Sequence, residues 1–117
     1  MTYYSGFVLA VPTANKQKYI DHARLAWPYF KKLGALRMVE AWGDDVPHGK
    51  LTDYYRAVQA KEDETIVFSW VEWPDRATSD SAQKKMGEDA ELAKMDEMPF
   101  DGMRMIWGGF EPVVDES

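Results

Sequence analysis

Arg37, Glu40 and Trp42 lie in one apolar run, Trp70 and Glu72 in a second, and Arg104 and Trp107 in a third. A charge inside such a run must be paired or must stand in a solvated cavity, because burying it alone is costly. Glu40 and Glu72 are therefore candidate partners for acid–base work. Arg37 and Arg104 are candidate anchors for a polar group. Trp42, Trp70 and Trp107 are candidate walls of an apolar cavity that would take a small aromatic or otherwise apolar ligand. The competing reading is structural ion pairs at a sheet edge. His22 falls at the edge of an apolar helical stripe and reads as a boundary residue. His48 lies in the turn Pro47-His48-Gly49, near Asp44, Asp45 and Asp53. That spacing matches no metal-ligand template, so no metal and no cofactor is expected. With no cysteine, the chain has no thiol nucleophile, disulfide, zinc ribbon or iron–sulfur cluster. Glycine-rich phosphate loops and a nucleophile elbow are also absent from the sequence.

The segments that must position these residues can be read from composition. Runs rich in β-branched and aromatic residues cover Tyr3 to Val11, Leu36 to Trp42, Thr65 to Trp73 and Met103 to Phe110, each bounded by Pro or Gly. A helix is expected from Thr13 or Asn15 to Lys32, on the stripe Tyr19, Ala23, Ala26, Phe30 and Leu33. Pro28 should kink or break it, and Gly34 should close it. A second helix should start after Pro74 with Asp75 as its cap, run to about Gly87, and be followed by a short turn of helix from Asp89 to Met95. Between these elements, Pro47-His48-Gly49 is a turn, Tyr54 to Ala60 can be laid on an extended segment, and Lys61 to Glu64 reads as a solvated turn. Gly108-Gly109, inside a strand pattern, implies a bulge or a close backbone contact.

The order β, α, β, β, α, β in one domain spanning residues 1–117 is the α+β, ferredoxin-like arrangement: a four-stranded antiparallel sheet with both helices on one face. A sheet with one wet face should alternate apolar and polar residues. These strands are apolar on both sides: Ile66, Phe68 and Trp70 oppose Val67, Val71 and Trp73. Helices can cover one face only, and a bare face of this composition exceeds what soluble monomers expose. The expected cover is the same face of a second copy, giving a homodimer built as a dimeric α/β barrel.

Charge and length limit the partners. The chain has 117 residues with 14 Lys plus Arg against 20 Asp plus Glu, a net charge of −6. An acidic balance opposes binding to a phosphate backbone, so no nucleic-acid partner is expected. The N-terminus lacks a basic region, and its apolar run from Phe7 to Val11 is too short for a signal peptide. No stretch approaches the ~20 apolar residues of a membrane span. A soluble, cytoplasmic protein is the expectation.

One set of motifs is specific. Glu40-Ala41-Trp42, Asp45-Val46-Pro47, Gly49-Lys50 and Thr52-Asp53 resemble the YbaA-like family of uncharacterised bacterial proteins. So do Val67-Phe68-Ser69-Trp70, Met98-Pro99-Phe100-Asp101-Gly102, Arg104-Met105-Ile106 and Gly108-Gly109-Phe110. The resemblance extends over nearly the whole chain and implies a ferredoxin-like, dimeric α/β-barrel fold. It implies no activity and brings no catalytic residues. Trp42, Asp45, Lys50, Asp53, Arg104 and Phe110 are candidates only as members of the motif. The wider dimeric α/β-barrel superfamily includes cofactor-independent monooxygenases, haem-degrading enzymes and isomerases, but a fold does not fix a function. Two function classes follow: a small-molecule enzyme, most concretely a cofactor-free monooxygenase, and a non-catalytic dimeric module for a metabolite or a protein.

Overall fold

The computed structural model describes residues 2–88 and 98–117. The strands are β1 (Tyr3–Pro12), β2 (Arg37–Trp42), β3 (Glu64–Trp73) and β4 (Ile106–Phe110), and the helices are α1 (Lys16–Lys32), α2 (Tyr54–Ala57) and α3 (Arg76–Glu88). One antiparallel sheet runs in the order β2-β3-β1-β4. This is the expected ferredoxin-like α+β fold, with α2 added. No described helix is long and apolar enough to cross a membrane. The expected helical turn from Asp89 to Met95 lies outside the described residues.

Register decides which face each side chain takes. Leu9 opposite Val67 and Ser5 opposite Val71 place Ser5, Phe7, Leu9 and Val11 on one face with Val67, Ser69, Val71 and Trp73. Here α1 and α3 pack. Leu9, Val11, Tyr19 and Val67 form one buried cluster, and Ala35, Val71, Trp73 and Ala82 a second. The indole of Trp73 would be costly to bury unpaired; its Nε1 donates to Ser5 Oγ at 3.0 Å. The helix α1 continues through Pro28 without the expected break. Gly34 ends it at φ 110°, and a Cβ there would lie 2.6 Å from Thr78 Cγ2, so glycine is required twice over. Asp75 caps α3 as expected, accepting from the Thr78 amide at 2.7 Å.

On the opposite face, the segment between β2 and β3 covers one end. Ala10, Val58 and Ile66 are buried there against Val46, Tyr55 and Ala60. This corrects the extended reading of Tyr54 to Ala60. Asp53 accepts from the Arg56 amide at 2.8 Å and from the Gly49 amide at 3.1 Å, a capping arrangement that starts a helical turn. His48 stacks on Tyr55 with ring centroids 4.3 Å apart and sets Nδ1 3.5 Å from Asp53 Oδ2. Among the described residues, no group of three or more His, Asp or Glu side chains is placed to hold a metal ion.

The same end corrects two further expectations. Glu64 is buried and not part of a solvated turn. It accepts from both terminal nitrogens of Arg104, each at 2.7 Å. Arg104 also donates through Nε to Asp101 at 3.0 Å and through Nη1 to the Gln59 carbonyl at 2.8 Å. Asp101 accepts from the Met103 amide at 3.0 Å, and residues Gly102–Arg104 form a 3-10 turn, so β4 begins three residues later than the expected Met103. Gly108 and Gly109 pair regularly with Gly6 and Ser5, without a bulge. Instead, Tyr3 packs close against Gly109, where a side chain would collide with its ring.

The Arg104 hydrogen bonds hold the Glu64 carboxyl below the usual carboxylate range, against the opposing effect of burial. A lowered native pKa contributes stability above the unfolded value, and that contribution is lost as pH falls through the native one. Arg104→Ala strands a buried carboxylate, and is expected to lower the urea midpoint at pH 7 far more than Arg76→Ala, which breaks an exposed pair. The Arg104→Ala deficit should shrink in acid, as the pH falls low enough to protonate Glu64. Urea titrations at pH 7 and in acid check both statements.

Candidate functional site

The sheet face under α1 carries one acid that the fold did not need. Pairing of β2 with β3 sets Met38, Glu40 and Trp42 opposite Val71, Ser69 and Val67, and so turns Glu40 toward the helix. Tyr19, on the buried stripe of α1, donates its hydroxyl to Glu40 Oε2 at 2.6 Å. The Ser69 hydroxyl, one strand over, bonds the same carboxylate. Beside this group lies a cavity of about 200 Å³, walled by Phe7, Phe30, Phe100, Met105 and His22. A second hollow of about 300 Å³ adjoins Tyr19 and Glu40 as well, bordered by Lys16, Arg24 and Trp42. The Tyr19 ring centroid is 5.7 Å from that of Phe100 and 6.4 Å from that of Trp42. Asn15 Nδ2 donates to the Pro99 carbonyl at 3.1 Å, which ties the segment carrying Phe100 to the start of α1.

Electrostatics follows from this packing. Glu40 keeps solvent contact at the sheet edge, yet α1 excludes enough water to raise its carboxyl above the usual range. The hydrogen bonds from Tyr19 and Ser69 act the other way and only partly offset that rise. Tyr19 is buried, and burial together with the adjacent carboxylate pushes its phenol far above the usual tyrosine value. Tyr19 thus remains a hydrogen-bond donor over the whole physiological range. Glu40 is an acid brought nearer to neutrality, reachable from a cavity, which is the property a general acid or base requires.

The seven candidate residues do not share one cavity, which corrects the expectation of a single Trp-lined pocket. Glu40 and Trp42 stand on the helix side. Arg37, Trp70 and Glu72 stand on the opposite face, with Arg37 directly across from Glu72 in the pairing of β2 with β3. Glu40 and Glu72 are therefore separated by the sheet and cannot act as an acid–base pair. Trp107, on edge strand β4, borders both the outer face and a hollow near α3. Arg104 has its donors committed to Glu64, Asp101 and Gln59. Tyr19, Ser69 and Phe100 complete the helix-side site. A Tyr within an alanine-rich stripe and a Ser within an apolar strand are the signals that point to the first two.

The outer face holds a shallow hollow of about 650 Å³ lined almost entirely by apolar side chains. Phe68, Ile106 and Phe110 remain 46%, 45% and 58% exposed there, while Trp107, paired with Phe7, turns toward the helix side. Phe68 and Trp70 meet edge to face, with centroids 5.8 Å apart.

Comparison with known proteins places this chain. The model of a family described as "Protein of unknown function (DUF1428)" matches residues 2–102. The chain belongs to the DUF1428 family. Relatives include the uncharacterized protein YbaA of Escherichia coli strain K12 and that of Shigella flexneri. Each is 51% identical over 117 residues, covering 99% of this chain and 100% of the relative. Two dimeric ferredoxin-like proteins from an uncultured marine organism share the fold. One has a TM-score of 0.55 at 13% identity, with 99% of this chain and 97% of the other covered. The other has a TM-score of 0.55 at 9% identity, with 100% and 98% covered. At those identities the likeness is one of fold.

Two predictions follow for the DUF1428 site. Tyr19→Phe deletes a bond that favours the ionised acid, so the Glu40 pKa should rise further, as read by carboxyl-carbon NMR titration. A carboxyl whose native pKa exceeds its unfolded value stabilises the fold at low pH, and that benefit is lost as pH rises through the native pKa. Glu40→Gln should therefore gain stability relative to wild type at pH 8 and gain nothing at pH 4, measured by urea unfolding at both.

Proposed function

We propose that this protein is a homodimer whose protomers each bind a small, largely apolar ligand under α1, with Glu40 exchanging a proton or a hydrogen bond with the ligand's polar group. The observation that carries this reading is an open carboxyl of raised pKa at the wall of an apolar cavity. Glu40 is exposed on the edge strand β2, and the Tyr19 hydroxyl holds its carboxylate at the rim of that cavity. Tyr19 supplies a donor that stays protonated, and with Ser69 it fixes the direction of the carboxylate. Such a pair positions an acid or base; the reaction class it serves is proton transfer. Dimerisation is supported separately by the exposed aromatic face and by the dimeric state of the two marine proteins.

A thermal-shift screen against small aromatic and acyl compounds tests the ligand reading. A compound at about one hundred times its Kd should stabilise the wild type by about 2.7 kcal/mol. That stabilisation should saturate and fall in both Glu40→Gln and Tyr19→Phe, while a control change on the outer face, Glu72→Gln, leaves it intact. A ligand whose affinity ignores Glu40 and Tyr19 but responds to Glu72 would move the site to the other face.

A further inference from the structure

We infer that the C-terminal segment of a second copy, residues 111–117, lies in the groove between α1 and edge strand β2, with its acids on Lys16 and Arg24. This goes beyond the ligand reading and rests only on the homodimer within it.

The groove has a strand edge on one side and a helix face on the other. β2 stands at one edge of the sheet. The Gly43 amide donates to the Ile66 carbonyl at 2.7 Å, so antiparallel alternation turns the backbone groups of Met38, Glu40 and Trp42 outward, away from β3. Such an edge is a template for one more strand. Beside it, a hollow of about 300 Å³ separates β2 from Lys16, Ile20 and Arg24 of α1. These three recur every four positions and so follow one face of the helix. Lys16 stands at the Trp42 end, its ammonium 5.5 Å from the ring centroid. Arg24 stands about 12 Å further along, at ~1.5 Å per residue. The helix side of the groove therefore shows a cation, an apolar residue and a cation in line. Glu40 shares the hollow, but the Tyr19 hydroxyl holds its carboxylate at 2.6 Å.

The tail carries the complementary pattern. It reads Glu111-Pro112-Val113-Val114-Asp115-Glu116-Ser117. Alternate residues of an extended chain share a face, so Glu111, Val113 and Asp115 present an acid, an apolar residue and an acid. Glu111 and Asp115 are then about 13 Å apart, at ~3.3 Å per residue, which matches Lys16 and Arg24. Val113 falls level with Ile20. Val113 and Val114 are 91% and 76% exposed, although β-branched residues suit a strand that packs on a neighbour.

The occupant is the partner's tail and not the chain's own. β2 and β4 are opposite edges of the sheet, about 14 Å apart by strand spacing. Glu111 directly follows Phe110, the last residue of β4, so within one chain it cannot lie against α1 and β2. Phe110 is exposed on the outer face, where the proposed second copy sits. Sheets packed face to face can cross near a right angle, and crossing brings the end of β4 on one copy to a side edge of the other.

Carbodiimide, which joins an amine to a carboxylate in contact with it, tests this on the full-length protein. It should give a covalent dimer in which digestion and mass spectrometry find Lys16 joined to Glu111, Asp115 or Glu116. Lys16→Gln should remove that product, and Arg24→Gln, which leaves the reacting amine in place, should reduce it. Ending the chain after Glu111 should weaken the dimer about tenfold in sedimentation, the loss expected for one exposed ion pair and an apolar contact. A dimer by sedimentation whose tail is joined to lysines outside the groove, or to none, overturns the inference and leaves the dimer standing. So does a link from Lys16 to the tail found only in the single-chain product. A protein that sediments as one chain overturns the dimer reading and this inference with it.

Discussion

A four-stranded sheet has two faces, and this chain provides long helices for only one of them. Everything else in the molecule answers to that constraint. The central strands β1 and β3 are apolar in both directions, so their pairing fixes two hydrophobic surfaces at once. One surface is covered by α1 and α3 and holds most of the buried core. The other is covered at one end by the segment around α2, and elsewhere presents Phe68, Trp70, Ile106 and Phe110. The cover ends where the Arg104–Glu64 pair stands, so that ion pair fastens the segment before β4 to the rim of the covered region. An ion pair this enclosed is weak evidence for net stability but strong evidence for a fixed geometry. It keeps two stretches of chain, forty residues apart, at one point.

The covered face is where the structure departs from simple packing. Elsewhere polar groups beneath the helices are small: Ser5 accepts from Trp73, and the Ser79 hydroxyl is buried without a partner. Glu40 is different, since it is ionisable, held by the Tyr19 hydroxyl and bordered by space. Two tendencies meet at that carboxyl. Loss of water favours its neutral form, and the hydrogen bonds favour its charged form. A group balanced in this way responds to what enters the adjoining cavity, which ties the packing of α1 on the sheet to the chemistry proposed for the site.

Much of the fold is legible in the sequence because it depends on local pattern. The four strands follow from runs of β-branched and aromatic residues, and α1 from the stripe through Tyr19, Ala23 and Phe30. Gly34 and Asp75 mark helix ends through their own backbone and side-chain chemistry. The short helix at Tyr54–Ala57 is not legible in that way, because the residues that decide it are the Asp53 cap and the Gly49 amide it also binds. Nor is the partner of Arg104, since Glu64 lies in a charged run that has every local feature of a solvated turn. The site shows the same limit. Alternation separates Trp70 and Glu72 from Val71, but only the register of β2 against β3 reveals that Glu40 and Trp42 look the other way. The pairing of Tyr19 with Glu40 then depends on where α1 crosses the sheet, and no spacing in the sequence encodes that crossing.

The uncovered face remains the point on which the whole architecture turns, and the state of the protein in dilute solution tests it most directly. Sedimentation equilibrium at micromolar concentration should return about twice the 13.5 kDa chain mass, and replacing Phe110 by Glu should return the mass of one chain with its far-ultraviolet dichroism unchanged. A wild type that sediments as a single chain at that concentration would contradict the claim that a second copy shields the aromatic side of the sheet.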